Sequence, residues 1–158
     1  MVSLTFVSKT VKYFMHPLNM HSLTRDGLKT IYKKVKHLRL PPKLEEVDFE
    51  TLTYYSWLDQ SDMCLFVVYD FHGIPTGLRL EVVLPPVGSL RLGFCEFCHK
   101  HRKQSSVFFV ATETKKRPKG VEYQSRGTWM CSDYEVCNRD LKNDSRINEF
   151  FVRILEEA

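Results

Sequence analysis

A chain of 158 residues is long enough to bury one core, or one core with a small appendage. Its composition, 43% hydrophobic and 27% charged, excludes disorder or low complexity as a description of the whole. Its longest apolar run, Met63–Tyr69, falls far short of the roughly 20 residues that span a bilayer. The net charge of +4 hides segments of +7 (residues 1–40), −6 (41–90) and +3 (91–158). That pattern excludes a surface that grips nucleic acid throughout, and suits separate faces for separate tasks.

In chain order, Leu4, Val7, Val11, Phe14 and Leu18 recur at steps of three and four and predict a first helix, ended by His16-Pro17. A second helix is expected from a cap at Ser22 or Thr24, with Asp26 in its first turn and Leu28, Ile31, Tyr32, Val35 and Leu38 as its stripe. Pro41-Pro42 stops it. Two short helices cannot bury both stripes against each other alone, so they must lie on the rest of the chain, a second copy or a further segment. Residues 43–51 are acidic and read as irregular. Strands are expected over Thr53–Leu58, Met63–Phe71 and Leu78–Leu84, with turn chemistry over His72–Gly77, giving an antiparallel meander. A short knuckle follows at Phe94–Cys98, then a strand over Val107–Thr112, a basic loop over Lys115–Gly120 and a returning strand over Gly127–Cys131. After Cys137, the residues Leu141, Ile147, Phe150, Phe151, Ile154 and Leu155 predict a closing helix.

The N-terminus shows no basic segment followed by an apolar one, so no secretory signal is read and a cytoplasmic, reducing location is expected. There, cysteines serve as metal ligands or core residues rather than in disulfides. Four of the five form pairs, Cys95-x2-Cys98 and Cys131-x5-Cys137. Thiolates two residues apart in a tight turn reach one ion at the Zn–S distance of about 2.3 Å. Knuckle, hairpin and helix is the order of a treble-clef zinc finger, and a helix start beside Cys137 would favour its thiolate. The alternative, two unrelated pairs of buried thiols, must account for the polar run His99-Lys100-His101-Arg102-Lys103 directly after Cys98. With four thiols available, His99 and His101 are read as exposed basic residues, and Cys64, inside an apolar strand, as a core residue. Four thiolates leave no open coordination position, no H-x-E deaminase signature is present and no glycine-rich phosphate loop is seen. The expectation is therefore a structural Zn2+ and no enzyme.

These motifs belong together in a known pattern. The helix and proline stop Leu28–Pro41, then Trp57, Val67-Val68-Tyr69-Asp70, Gly93-Phe94-Cys95-x2-Cys98, Gly127–Asp133 with Cys137-Asn138, and Ile147–Phe151 resemble, in one order, FusB-type fusidic acid resistance proteins, the elongation factor G-binding proteins. The resemblance covers roughly residues 20–158. It implies an α+β protein: a helical segment at 1–42, the remnant of a longer helical bundle, and an α/β domain at 43–158 with the zinc finger at 93–158. It also implies binding to elongation factor G through the finger and release of the factor from stalled ribosomes. Contacts carry over to Phe94, Arg126 and Trp129, and to Arg153 on the last helix, where the family has an aromatic and where Phe150 and Phe151 lie nearby. A short insertion around Asn143–Ser145 separates this helix from the family pattern. If the N-terminal stripe lacks partners, the expectation is a homodimer through those helices or docking on the strands. A zinc-finger RNA binder touching ribosomal RNA is the alternative, since basic residues interleave with aromatics, and the acidic middle segment argues against it. A redox or metal-buffering role is the third reading, which two pairs at finger spacing do not encourage.

Overall fold

The computed structural model describes residues 23–83, 93–113 and 125–156. The helix expected over residues 4–18 and the basic loop at 115–120 lie outside them. Among these described residues, seven strands form: β1 (Tyr54–Asp59), β2 (Cys64–Phe71), β3 (Ile74–Val83), β4 (Gly93–Phe94), β5 (His101–Arg102), β6 (Val107–Glu113) and β7 (Ser125–Cys131). Three α-helices accompany them: α1 (Arg25–Ile31), α2 (Tyr134–Asp140) and α3 (Ser145–Leu155). The meander is larger than expected, because the two C-terminal strands join it. One antiparallel sheet runs β1-β2-β3-β6-β7, and β4-β5 is a separate pair.

Strand β2 explains the unbroken apolar run. Successive side chains of a strand point to opposite faces, and both faces of β2 are covered. Leu65, Val67, Tyr69 and Phe71 join a core with Tyr54, Leu78, Leu80, Val110, Met130, Ile147, Phe150 and Phe151. Cys64, Phe66 and Val68 join the opposite core with Leu28, Tyr32, Leu44, Phe49, Tyr55 and Trp57. Thus α1 and the 3-10 turns Leu44–Glu46 and Phe49–Thr51 cover one face, while α3 and the cysteines cover the other. Cys64 is buried, as expected for a core residue. Along β3, Leu78 and Leu80 are buried while Arg79 and Glu81 are exposed, the alternation read from the sequence.

Three boundaries differ from the sequence reading. Thr24 caps α1 by accepting from the Gly27 N–H at 3.0 Å, but the helix ends at Ile31 instead of reaching Leu38. The cause is tertiary. The Arg39 carbonyl accepts from the Trp57 indole at 3.0 Å and the Arg39 guanidinium pairs with buried Asp59 at 3.0 Å, so the chain leaves the helix to reach β1. The second difference is the turn at His72, which is only two residues long. His72 (φ 54°) and Gly73 (φ 79°) are both left-handed, as a type I′ hairpin requires, so Phe71 pairs with Ile74 and β3 starts there. Pro75 is tolerated because β6 pairs with β3 only at Glu81–Val83, leaving this stretch without a ladder partner on that side. Third, the closing helix is two helices. The Asn143 side chain accepts from the Ser145 N–H at 3.0 Å and Asp144 accepts from the buried Tyr69 hydroxyl at 2.6 Å, which breaks the helix between Asp140 and Ser145.

Candidate metal centre and its surface

The knuckle is built by backbone. The His99 N–H donates to the Cys95 carbonyl at 2.8 Å and the Cys95 N–H to the Lys100 carbonyl at 3.1 Å, with His99 left-handed at φ 60°. Histidine is among the residues enriched in that conformation, so His99 shapes the turn while its side chain, like that of His101, stays exposed. The Cys98 N–H points at the Cys95 sulfur at 3.5 Å. The knuckle is tied to the sheet by the Glu96 N–H, which donates to the Trp129 carbonyl at 2.9 Å. Cys131 ends β7 and Cys137 sits one turn inside α2, its N–H bonded to the carbonyl of the cap residue Asp133 at 3.1 Å. Helical side chains lean toward the N-terminus, which brings this thiol back over the first turn.

All four ligand sulfurs lie within 4.8 Å of one another, and the cysteines are 0–3% exposed. Cys95 and Cys137 Sγ are 3.7 Å apart, as are Cys98 and Cys131 Sγ. A tetrahedral ion with Zn–S bonds of about 2.3 Å requires sulfur separations of about 3.8 Å. Two of the separations match that value and the donor set fits Zn2+; it is the only such cluster among the described residues. The electrostatics agree. Hydrogen bonds from Cys131 and Cys137 pull the Cys95 thiol far down, while those with Cys131 and Cys95, together with burial, push Cys137 far up. A divalent ion among the sulfurs offsets the repulsion that buried thiolates would exert on one another.

Sequence reasoning missed the residues that surround the sulfurs. Arg102 donates from Nε to Cys131 Sγ at 3.1 Å and from Nη2 to Cys98 Sγ at 3.5 Å, and pairs with Asp140 at 2.5 Å. Burial alone would lower the Arg102 pKa; the bonds to Asp140, Cys98 and Cys131 outweigh it and raise it. Asn138 sits beside Cys137. Its Oδ1 accepts from the Thr53 and Tyr54 N–H groups at 2.6 and 3.3 Å, and its Nδ2 donates to the Tyr54 and Tyr134 carbonyls at 2.9 and 2.7 Å. That clamp locks α2 to β1. The polar run after Cys98 was the one sequence signal pointing toward Arg102.

The expected surface residues separate. Trp129 is 37% exposed, its ring backed by Phe109 with centroids 5.1 Å apart. Val83 pairs with Phe109 and Phe109 with Trp129, so three apolar side chains form one row across β3, β6 and β7. Phe94 is half-buried, its ring 5.0 Å from His101 and 5.8 Å from His99. Arg126 is placed only by its backbone, opposite Thr112; its side chain lies outside the described residues. Arg153 is half-buried with its guanidinium 5.6 Å from the Phe150 ring centre. Phe150 itself is 1% exposed and packs on Phe97 of the knuckle, so it is a core residue and offers no surface to a partner.

Comparison with known proteins agrees with this geometry. The sequence model of a family described as FBP C-terminal treble-clef zinc-finger matches residues 28–152. Among solved structures, the fusidic acid resistance protein FusC is similar with a TM-score of 0.67 and 25% identity, over 84% of this chain and 59% of that one. The chain thus spans little more than half the length of that relative. No curated protein matches. A treble-clef family and a buried four-cysteine cluster of tetrahedral dimensions together make this a structural Zn2+ site.

Proposed function

The chain belongs to the FBP C-terminal treble-clef zinc-finger family, and on that premise we propose that it binds elongation factor G through the surface carried by its zinc finger and promotes release of the factor from ribosomes stalled with fusidic acid. The observation that carries this reading is Trp129. A large aromatic in the centre of a strand, backed by Phe109 and in line with exposed Val83, leaves the core and faces outward. Exposed aromatic anchors supply much of the binding energy at protein interfaces. The similarity to a fusidic acid resistance protein supports the same reading. Binding in place of catalysis accords with a metal whose four positions are all taken by sulfur. Release follows from differential affinity: a protein that prefers the off-ribosome conformation of the factor shifts the population toward it.

Calorimetry with purified elongation factor G tests this. We expect saturable binding, weakened by about 2 kcal/mol or more in Trp129→Ala, with one zinc per chain retained. Unchanged affinity in that variant would remove Trp129 from the interface. No binding to the factor, with tight and steeply salt-dependent binding to naked ribosomal RNA, would replace the reading with an RNA-binding finger.

A further inference from the structure

We infer that Arg102 and Asp140 form a charge-balancing outer shell that retains the metal, with Arg102 bonded to the ligand sulfurs and Asp140 holding Arg102. Four thiolates around a divalent cation carry a net charge of −2. The sulfurs are buried, where unbalanced charge is costly. Arg102 offers two N–H groups of one rigid fork to two different sulfurs, Cys131 at 3.1 Å and Cys98 at 3.5 Å. The same Nη2 reaches Asp140 Oδ2 at 2.5 Å, which fixes the plane of the guanidinium. The side chains of Arg102 and Asp140 are only 17% and 32% exposed, so the pair is shielded enough to matter. Its placement is built in: Arg102 lies in β5 opposite Gly93, and Asp140 ends α2, one turn after Cys137.

The shell is lopsided. Cys98 and Cys131 face the guanidinium, whereas Cys95 receives the Cys98 backbone N–H at 3.5 Å. A cationic N–H draws electron density from a thiolate and lowers its reactivity as well as the repulsion among the four. Arg102 and Asp140 are positioning residues: neither touches the ion.

The test uses the full zinc-loaded chain. Zinc affinity is measured by competition with the chromogenic chelator 4-(2-pyridylazo)resorcinol, and cysteine reactivity by N-ethylmaleimide labelling read by mass spectrometry. Arg102→Met is expected to weaken zinc binding about 10- to 100-fold and to make Cys98 and Cys131 react ahead of Cys95 and Cys137. Asp140→Asn is expected to shift both readouts in the same direction by less. Wild-type zinc affinity in both variants overturns the proposal. So does a weakened affinity with equal gain of reactivity at all four cysteines, which marks loss of packing alone. If Arg102→Met yields no folded protein, Asp140→Asn decides, and wild-type affinity with the wild-type labelling order overturns the inference.

Discussion

Gly77 and Tyr32 show how one missing methyl group positions an aromatic ring. A Cβ at Gly77 would lie 2.5 Å from Tyr32 Cζ and 2.6 Å from Ile31 Cγ2. The open space lets Tyr32 lie across the β2–β3 ladder, where its hydroxyl shares one proton between the Val67 and Leu78 carbonyls at 2.9 and 3.0 Å. Tyr32→Phe is expected to lower unfolding free energy by about 1 kcal/mol in urea titrations, because it strips a buried hydrogen bond to the strand carbonyls. Gly77→Ala is expected to cost about 1–3 kcal/mol by overpacking, and much less in a Tyr32→Ala background, the coupling expected of residues in contact. Neither role was visible in the sequence. Gly77 read as turn chemistry and Tyr32 as one member of a helical stripe, since nothing local reveals which ring crosses which strand.

Among the elements, α2 is short and depends on its neighbours. Seven residues are too few to hold a helix in water, yet α2 carries Cys137 and Asp140. Asn138 supplies the stability by bonding to β1 and to the helix itself. Asn138→Ala is expected to cost about 1–3 kcal/mol, since it leaves strand N–H groups without a partner, and to weaken zinc binding in the chelator assay, while a surface substitution such as Lys142→Ala does neither. The β2–β3 hairpin makes a contrasting case. At Gly73 an added Cβ would meet nothing within 4 Å, so only backbone strain opposes it. Gly73→Ala should therefore cost about 1–2 kcal/mol, readable as a lowered thermal midpoint with the metal site intact.

At the scale of the whole molecule, the metal site and the core beneath α3 are one structure. The four cysteines pack in the same cluster as Tyr54, Leu65, Val110, Met130, Phe150 and Phe151. Chelation is expected to lower the thermal midpoint and abolish near-ultraviolet circular dichroism, and added zinc to restore both. Alkaline pH should act through the tyrosines. Burial pushes Tyr32 well above the usual tyrosine value, and Tyr134, for the same reason, up to about 12. Their stabilising contribution is full below pH ~10 and is lost as pH rises through the folded-state values. Absorbance at 295 nm should show tyrosinate formation delayed past pH ~10 and coincident with unfolding; ionisation of every tyrosine near pH ~10 in folded protein would contradict this.

Some of this was decided by residue order alone. The two cysteine pairs are legible because chelation at a knuckle depends on local spacing, and all four sulfurs do converge. The long apolar run of β2 likewise announced a strand, because a strand covered on both sides needs no polar face. Tertiary structure decided the rest. It stopped α1 at Ile31 by drawing Arg39 to Trp57 and Asp59. It turned Phe150 into the core and Trp129 out of it. It aimed Arg102, one of five polar residues in a row, at two sulfurs from separate parts of the chain. In each case the outcome depends on which partner the fold brings opposite a side chain, and a deciding partner is distant in sequence, as Trp57 is from Arg39 and Cys131 from Arg102, beyond the reach of any local pattern.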